Sequence, residues 1–588
     1  MVNRSSLTKL FGAFRRIHNP RILIGSAVIG VAVALVMSVF VTTTFDLIFN
    51  FAANTKTNIV ITAATPAVGI VLTRLLLIGG SRVIGARDIS NSTSDEYIRA
   101  FHERRPTMRI TELPVKLLAG IATIGSGGAV GLEAPSVYTG SSLGLFLHKK
   151  LSRFFKRDEA HVLLTAGAAA GVSAAFRTPA TGVIFALETP YRDDVAPQAL
   201  VPSLISAAAS YTTLVALLGS EPLVPPFLQY DPAGQTSGRG YSDWLHSVIT
   251  FDTLQGAFIL GVIAALAGRG FAWSVHRMKD STQKTSTVKR IAIASIVLAG
   301  LVVLSDRLFG QALSLGAGID TMKWIFDQDW ADLHNPLQLI AMLFLIRAAA
   351  SLATVYGGGV GGLFIPLCTL GVILGQFVSV AIDGNTTQIY PILGLAAFLA
   401  AGYRTPIAAV MFVAESAVGS GNFVVPALIA AAVSQVVITP LSVAEHQKNR
   451  RRGHLESRLE LPVGSIVKTD VFTVPPDTTI SEFIHFHVLG RRKRIVPVVK
   501  GSTYLGMARL EDMTLIEREK WDTIKVGAKT ATHLPTAAPS WSVRDAVIAM
   551  EEFDTDILAV TNRSGHFIGT ITEGEILRLQ EILEETEE

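Results

Sequence analysis

One carboxylate, Glu133, stands among glycine and apolar residues in a stretch that reads GSGGAVGLEAPSVYTGSSLG from Gly125 to Gly144. Such a glycine-rich stretch is expected to break a membrane helix and restart it at the proline, which needs no N–H donor in the first turn. The free N–H groups at a helix start carry positive partial charge and bind anions. A carboxylate there can occupy the anion site and leave it when protonated or displaced. We therefore predict that Glu133 is a gate and a proton carrier; the alternative is a plain capping acid.

The composition places most of the chain in a lipid bilayer. The chain has 588 residues, of which 49% are hydrophobic and 17% charged, with a mean hydropathy of +0.43. About ten apolar stretches between Ile22 and Val443 are long enough to cross a hydrocarbon core of about 30 Å. The first starts at Ile22, is too long for a signal peptide and has no small-residue cleavage site after it. We therefore predict that it is the first membrane helix.

The basic residues predict the orientation of the chain. They cluster at residues 15–16, 149–157 and 448–452, and positive loops face the cytoplasm. We predict a multi-pass protein of the cell membrane whose N-terminus and C-terminal region are cytoplasmic. These loops account for the net charge of +4, so no nucleic-acid partner is predicted. A single cysteine, Cys368, excludes an intramolecular disulfide.

The composition also predicts the domain boundaries. After about residue 454 the chain changes to mixed charged and apolar residues with short β-rich runs. We predict a cytoplasmic segment (1–21), a transmembrane domain (22–447), a basic linker (448–460) and two soluble domains (461–516 and 523–584).

An internal repeat organises the membrane region. Residues 127–144 align with residues 358–375 at an offset of 231, with eight identical positions and with Glu133 opposite Phe364. Residues 174–188 align with 401–415 at an offset of 227, and both copies carry R-T-P and a terminal glutamate. Packing of small residues alone would not place proline, arginine and glutamate twice at matched spacing. The repeat predicts an all-α membrane domain of two inverted halves with the binding site between them.

Two motifs resemble those of the CLC chloride channel and transporter family. GLEAP at residues 131–135 is similar to the family's G-R-E-G-P motif, and GLFIP at residues 362–366 is similar to its G-x-F-x-P motif. The resemblance covers roughly residues 20–450 and implies a homodimer in which each subunit has its own anion pathway. It implies that Glu133 is the gating glutamate. It also implies that the backbone at Leu363 and Phe364, with Gly131 and Gly362, lines the central anion site.

Three positions depart from the family pattern. Counting back from later motifs places Ser92, in NSTSD, at the anion-coordinating serine; a loop hydroxyl or helix cap is the alternative. The tyrosine that closes the inner end of the pathway falls on Ser442, which predicts a looser inner gate. The internal glutamate of proton-coupled members falls on Thr189. The absent glutamate favours a channel, although an exchanger with an unconventional inner proton route stays open.

Other charged residues in the membrane region have less specific readings. Glu188 directly precedes Thr189, and its repeat mate is Glu415. Because successive helical positions lie about 100° apart, Glu188 should face away from the proton route. A structural role shared with Glu415 is favoured, through a basic residue or backbone donors. Arg347 either adds positive potential to the pathway or satisfies a helix end.

The C-terminal region resembles a tandem pair of cystathionine-β-synthase (CBS) domains, each read as strand, helix, two strands and helix. Gly569, Thr572 and Glu575 in the second copy resemble the nucleotide motif G-x-x-[ST]-x-x-D, although glutamate replaces aspartate. The first copy has Arg509 where serine or threonine is expected. One regulatory site for ATP or another adenine nucleotide is therefore predicted, with no cofactor required for transport. The alternative is a nucleotide-free dimerisation module.

These observations predict transport of chloride or a similar monovalent anion. The predicted protein is channel-like and gated by Glu133, and a proton-coupled exchanger is the alternative. A membrane enzyme would need paired catalytic acids, a Ser/His set or an H-E-x-x-H metal site, and the sequence contains none on its predicted helices. A cation transporter would need acids around the central site, where this chain has glycine and proline instead.

Overall fold

The computed structural model describes residues 20–47, 58–86, 88–157, 159–219, 250–328, 330, 333–383, 389–416, 423–437, 441–449, 461–490 and 493–576. The chain forms two compact units, which meet in sequence between Arg451 and Arg452. Nearly all of the predicted N-terminal segment 1–21 and most of the linker 448–460 lie outside the described residues. Within the described ranges, eight helices are long and apolar enough to cross a membrane, which confirms the prediction of a multi-pass membrane domain.

The first unit consists of helices joined by loops in its described ranges. Its first half contains α1 (Pro20–Leu47), α2 (Ile59–Ile84), α3 (Ser94–His102), α4 (Leu113–Gly125), α5 (Glu133–Lys150), α6 (Glu159–Phe176), α7 (Pro179–Glu188) and α8 (Leu200–Leu218). Its second half contains α9 (Phe251–Lys284), α10 (Thr287–Phe309), α11 (Ile319–Asp327), α12 (Pro336–Gly357), α13 (Phe364–Asp383), α14 (Ile389–Tyr403), α15 (Pro406–Ser416) and α16 (Val424–Val437). Helix order and the aligned sequences make α5 to α8 the counterparts of α13 to α16.

Equivalent helices of the two halves pack in the same way. Helix α5 packs along α6, and α13 packs along α14. At the crossing of α5 and α6, a Cβ atom on Gly140 or Gly167 would overlap the other residue's carbonyl group. Gly371 of α13 meets Gly394 of α14 in the same way. Small residues at these crossings let the helix backbones touch. Close packing of this kind drives helix association in a bilayer, where the hydrophobic effect does not hold helices together.

Both glycine-rich stretches break a helix, as the sequence predicts. Helix α4 ends at Gly125 and α5 begins at Glu133, whereas α12 ends at Gly357 and α13 begins at Phe364. Each new helix starts two residues before its proline (Pro135 and Pro366) rather than at the proline itself. The shift is tolerated because the N–H groups of the whole first turn lack intrahelical partners, so a proline anywhere in it removes no helical bond.

The two breaks meet each other. Gly131 and Gly362 form an isolated antiparallel bridge, in which each residue's N–H donates to the other's carbonyl, at 2.7 Å from Gly131 and 2.9 Å from Gly362. The two glycines are equivalent positions of the repeat. Equivalent segments therefore run in opposite directions where they touch, as an inverted repeat requires.

The halves also exchange helix caps. Glu188, at the end of α7, accepts hydrogen bonds from two backbone N–H groups in the first turn of α15, at 3.1 and 2.9 Å. Glu415 does the same in the first turn of α7, at 2.8 and 2.7 Å. A carboxylate at a helix start satisfies free donors and interacts favourably with the helix dipole. The predicted structural role through backbone donors is confirmed for both glutamates.

The second unit has the α/β composition predicted for it. Its elements are a short α-helix (Ile480–Glu482) continued by a π-helix (Phe483–Leu489), then β1 (Ile495–Lys500), β2 (Thr503–Arg509), α17 (Leu510–Thr514), β3 (Thr536–Ala537), α18 (Val543–Glu552), β4 (Ile557–Thr561) and β5 (Phe567–Thr572). Strands β1 and β2 pair antiparallel, while β4 pairs parallel with β3 and antiparallel with β5. The rings of Tyr504 and Phe567, one from each copy, stack with centroids 6.1 Å apart. The first copy has one core, whereas the core of the second copy includes Val463 from the start of the first, and a further cluster combines residues of both copies.

The exchanged caps predict a loss of stability when either glutamate is removed. We expect Glu188→Ala to cost about 1–3 kcal/mol, because two buried N–H donors lose a charged acceptor. Glu415→Ala should cost less, since Glu415 is less buried. Thermal unfolding in detergent measures both. Glu103→Ala, at a half-buried helix end, is the control and should change stability little. Equal melting temperatures for all three variants would contradict the capping role.

Candidate functional site

The side chain of Glu133 lies inside the protein at the meeting point of the two halves. It is 0% exposed, and its Oε1 accepts a hydrogen bond from the backbone N–H of Phe364. Glu133 is the first residue of α5 and Phe364 is the first residue of α13. A carboxylate from one repeat therefore occupies a free donor at the helix start of the other repeat.

Gly131 and Gly362 make room for this carboxylate. A Cβ atom on either glycine would overlap the carboxylate atoms of Glu133. Neither glycine has a positive φ. Glycine is therefore needed at both positions for the close approach of the carboxylate, and not for the backbone conformation. The repeated G-x-x-G-L pattern thus has a physical cause at this site.

The charge of Glu133 is balanced by backbone groups and helix dipoles. In the part of the chain that the structure describes, no lysine, arginine or histidine forms an ion pair with it. Its Oε2 atom accepts no hydrogen bond from another described residue. The positive ends of α5 and α13 both lie at the carboxylate. Such a site favours an anion without fixing a full counter-charge, so its occupant can leave.

A cavity of about 230 Å³ reaches the same helix start. Its walls come from the segment 91–95 at the start of α3, the glycine loop 359–363, the segment 443–445 and side chains of α9, α10, α12 and α14. Ser92, Gly362 and Leu363 are among the lining residues. The structure therefore brings three of the predicted site residues together around one cavity, next to the amide that holds Glu133.

The loop that carries Ser92 is fixed by a buried lysine. The Ser92 Oγ donates to Asp95 Oδ2 at 3.2 Å, and the Ser92 carbonyl accepts from Lys116 Nζ at 2.9 Å. Lys116 is 1% exposed, pairs with Glu96 at 2.6 Å and lies 4.2 Å from the Tyr138 ring centroid. Lys116 is not among the residues predicted from the sequence, although a lone lysine inside the apolar run ELPVKLLAG is a usable signal.

Three charged side chains at the cavity wall link distant segments of the chain. Lys279 Nζ lies 2.7 Å from Asp95 Oδ2 and 3.2 Å from Glu445 Oε1. The backbone N–H of Glu445 donates to Asp95 Oδ1 at 2.9 Å. This cluster also escaped the sequence analysis, because its members come from α3, α9 and the segment after α16.

Ser442 lies beside the cavity and turns its hydroxyl towards backbone groups. Its Oγ donates to the Tyr403 carbonyl at 3.3 Å and accepts from the Ala444 N–H at 3.2 Å. Among the described lining residues are Val443 and Ala444, but not Ser442. The structure does not bring the Ser442 hydroxyl into the cavity.

Thr189 and Arg347 are both tied to backbone carbonyls. The Thr189 Oγ1 donates to the Phe185 carbonyl at 2.5 Å. Arg347 is 1% exposed and donates to the carbonyls of Leu313, Leu315 and Gly316 at 2.9–3.2 Å. Arg347 therefore holds the loop between α10 and α11 rather than a helix end. That loop contacts the first glycine-rich stretch, because the Gly316 N–H donates to the Gly127 carbonyl at 2.8 Å.

The candidate nucleotide residues of the second unit bind each other. The Thr572 Oγ1 accepts from the Glu575 N–H at 3.3 Å, and the Glu575 carboxylate accepts from the Thr572 N–H at 3.0 Å. This is the capping-box geometry, which Thr479 with Glu482 and Ser542 with Asp545 also adopt. Gly569 lies close to the Lys468 carbonyl, which a Cβ atom would overlap.

Comparison with known proteins assigns the family. The profile of the voltage-gated chloride channel family matches residues 75–439. The chain belongs to this family. Its members are channels and transporters rather than enzymes, which excludes the membrane-enzyme reading. Two further matches to the CBS domain cover residues 463–516 and 528–581.

Curated relatives include bacterial exchangers. The chain is 27% identical to the H(+)/Cl(−) exchange transporter ClcA of Salmonella paratyphi A over 345 residues. It is also 27% identical to ClcA of Klebsiella pneumoniae over 341 residues. Each alignment covers 56% of this chain and 66% of the relative. The chain thus spans just under two thirds of the length of these relatives.

Solved structures of the same family share the fold. A CLC-type fluoride/proton antiporter superposes with a TM-score of 0.59 at 21% identity, covering 73% of this chain and 98% of that chain. A eukaryotic CLC transporter superposes with a TM-score of 0.56 at 15% identity, covering 95% of this chain and 98% of that chain. These likenesses show a shared fold, and the alignment with the eukaryotic transporter extends into both units.

The buried ion pair predicts the effect of replacing Lys116. We expect Lys116→Met to cost roughly 3 kcal/mol of stability, because it leaves the Glu96 carboxylate without its partner. Adding Glu96→Gln should restore most of the stability but not the tether on the Ser92 carbonyl. Thermal unfolding of the single and double variants measures the first effect. Chloride titration calorimetry measures the second.

The control for this pair is Lys289→Met on α10, where the lysine is exposed. It should leave both stability and chloride affinity unchanged. A double variant with wild-type chloride affinity would contradict a positioning role of Lys116 at the Ser92 loop.

Proposed function

We propose that the protein moves chloride or another small monovalent anion across a membrane, along a pathway between its two inverted halves. The observation that carries this proposal is the hydrogen bond from the Phe364 N–H to the buried Glu133 carboxylate. A site that already holds an anionic group with backbone donors and helix dipoles has the chemistry to hold a free anion. Release of the carboxylate would vacate the site.

In this proposal the anion enters the site through the cavity described above. Ser92, Gly362 and Leu363 line the cavity, and Gly131 and Phe364 complete the site around Glu133. The N–H groups of the helix start supply donors, and the Ser92 hydroxyl adds one only when it releases Asp95 Oδ2, to which it donates in the structure. Ser442 remains a prediction from the sequence alone, since its hydroxyl is engaged with the backbone.

We propose a channel-like mechanism in which Glu133 is the gate. Thr189 supports this choice, because its side chain cannot titrate and its hydroxyl is engaged with the Phe185 carbonyl. The second candidate is a proton-coupled anion exchanger with an unconventional inner proton route. The buried carboxylate of Glu133, which can carry a proton, and the exchange activity in the names of the ClcA relatives favour this candidate.

The remaining parts of the proposal concern assembly and orientation. Family membership supports a homodimer with one pathway in each subunit, and the distribution of basic residues supports a cytoplasmic N-terminus and cytoplasmic CBS domains. The proposed domain limits are those predicted from the sequence, 22–447 for the membrane domain and 461–516 and 523–584 for the CBS domains. The alternative of a cation transporter is not favoured, because a backbone N–H faces the Glu133 carboxylate and the acids of the cavity wall, Asp95 and Glu445, both pair with Lys279.

Ion flux in liposomes tests the proposed transport. We expect purified wild-type protein to release chloride down an imposed gradient without driving protons uphill. Glu133→Gln should raise the rate of chloride release by at least roughly tenfold, because the neutral amide competes less well than the carboxylate for the anion site. A chloride electrode and a pH electrode in one vessel measure both ions.

The matched control is Glu188→Gln, a second buried carboxylate of the membrane domain that holds a helix start away from the cavity. It should leave the ratio of protons to chloride unchanged. Uphill proton movement that disappears in Glu133→Gln would replace the channel with the exchanger. Absence of anion flux in the wild type would contradict the transport proposal.

Nucleotide regulation is a separate prediction. If the second CBS copy binds adenine nucleotide, ATP should raise the melting temperature of the full chain. Thr572→Val and Glu575→Gln should remove that shift. Both residues form a capping box, so each variant is compared with Ser542→Val, which breaks an equivalent cap elsewhere in the unit. No shift at millimolar ATP would leave the pair as a dimerisation module.

A further inference from the structure

A tyrosine outside the predicted site residues reaches the same helix start. Tyr403 is the last residue of α14, is 2% exposed and lines the cavity. Its Oη accepts a hydrogen bond from the Leu363 N–H at 3.3 Å. Two successive backbone donors are therefore occupied by side chains of the protein, Phe364 by the Glu133 carboxylate and Leu363 by the Tyr403 hydroxyl.

Several contacts hold the Tyr403 ring in this place. Gly402 lies against the Leu367 side chain, which a Cβ atom would overlap, so the end of α14 comes close to α13. The Tyr403 ring packs edge-on against the Phe185 ring, with centroids 5.5 Å apart. The backbone carbonyl of Tyr403 accepts from Ser442 Oγ and from Gln447 Nε2, at 3.3 and 3.1 Å. Ser442 thus supports the tyrosine.

The repeat shows what the hydroxyl adds. At the offset of 227 residues the counterpart of Tyr403 is Phe176, the last residue of α6. Each is followed by an arginine with positive φ, 57° at Arg177 and 59° at Arg404. Phe176 stacks on the Phe364 ring with centroids 5.0 Å apart. The same helix end is therefore built with phenylalanine in one half, and the hydroxyl of the other half is extra to what folding requires.

A phenol can change its role at this site without moving its ring. Its oxygen accepts from an N–H donor, and its hydrogen can rotate to donate to an anion. When an anion takes the Leu363 and Phe364 donors, Tyr403 can turn from acceptor to donor. A hydrogen bond to a charged group is stronger than one between neutral groups, so the exchange favours the anion-bound form.

We propose that Tyr403 binds the transported anion through its hydroxyl, and that it covers the Leu363 amide when no anion is present. This inference rests on the proposed transport function. In this inference the hydroxyl that binds the anion belongs to Tyr403 of α14, whereas the sequence predicts Ser442 for that role. Ser442 becomes a positioning residue, acting through the Tyr403 backbone.

Two single substitutions separate the two assignments. In the full-length protein, Tyr403→Phe should weaken chloride binding by roughly tenfold or more, because it removes one hydrogen bond to a charged group. Ser442→Ala should change chloride affinity by less than about threefold. Titration calorimetry with sodium chloride measures both. Tyr97→Phe is the control, since it removes a buried hydroxyl that donates to the Ala186 carbonyl at 2.6 Å, away from the cavity.

Measurements of melting temperature and chloride flux distinguish the loss of an anion ligand from misfolding of the variant. Tyr403→Phe should lower the melting temperature only slightly, because the Leu363 N–H loses one long hydrogen bond while Phe176 occupies the equivalent helix end in the other half, and it should let chloride leak faster through liposomes. If Tyr403→Phe does not fold, Tyr403→Leu tests the same loss of hydroxyl. Wild-type chloride affinity in a folded Tyr403 variant would overturn the inference. So would a result in which Ser442→Ala weakens chloride binding and the Tyr403 variant does not. Absence of flux in the wild type would instead overturn the proposed transport function.

Discussion

The central site of the membrane unit is built around one interaction, the hydrogen bond from the Phe364 amide to the Glu133 carboxylate. The bond requires two helix starts at one point, so both halves must break a helix at the same place. It requires glycine at positions 131 and 362, because any side chain there would overlap the carboxylate. The antiparallel bridge between these glycines fixes the distance between the two breaks. These requirements explain why the same glycine pattern occurs in both halves of the sequence.

The same principle recurs throughout the membrane unit. Lipid offers no water to polar groups, so each must find a partner within the protein. Glu188 and Glu415 use helix starts of the opposite half, and Arg347 uses loop carbonyls. Glu133 differs from the two capping glutamates in one respect. One of its oxygens receives no hydrogen bond from another described residue, which is what a departing gate requires, whereas both oxygens of Glu188 accept backbone donors.

Much of the fold could be predicted because it is encoded locally. Apolar stretches, glycine-rich breaks and the duplicated R-T-P segments gave the membrane helices, the two halves and the position of Glu133. The helix starts differ from the prediction by two residues, because proline is accepted anywhere in a first turn. The shared role of Glu188 and Glu415 followed from their equivalent positions in the repeat.

The parts that escaped prediction depend on contacts between distant residues. Lys279 lies 184 positions from Asp95 along the chain, and no local pattern joins them. Tyr403 looked like the end of an apolar helix, and only the approach of α14 to α13 shows its hydroxyl at the site. Thr572 and Glu575 match a nucleotide motif in type and spacing, yet the same spacing forms a capping box. Because the same residue types and spacing serve both roles, the motif alone does not distinguish a nucleotide site from a capping box.

The central claim is that Glu133 and the transported anion compete for one set of backbone donors. The most direct test is a crystal structure of Glu133→Gln grown in bromide, with anomalous diffraction to locate the ion. We predict a bromide within hydrogen-bonding distance of the Phe364 amide, at the place that the carboxylate holds in the wild type. A glutamine side chain that still occupies this amide, with bromide absent or bound elsewhere, would contradict the account.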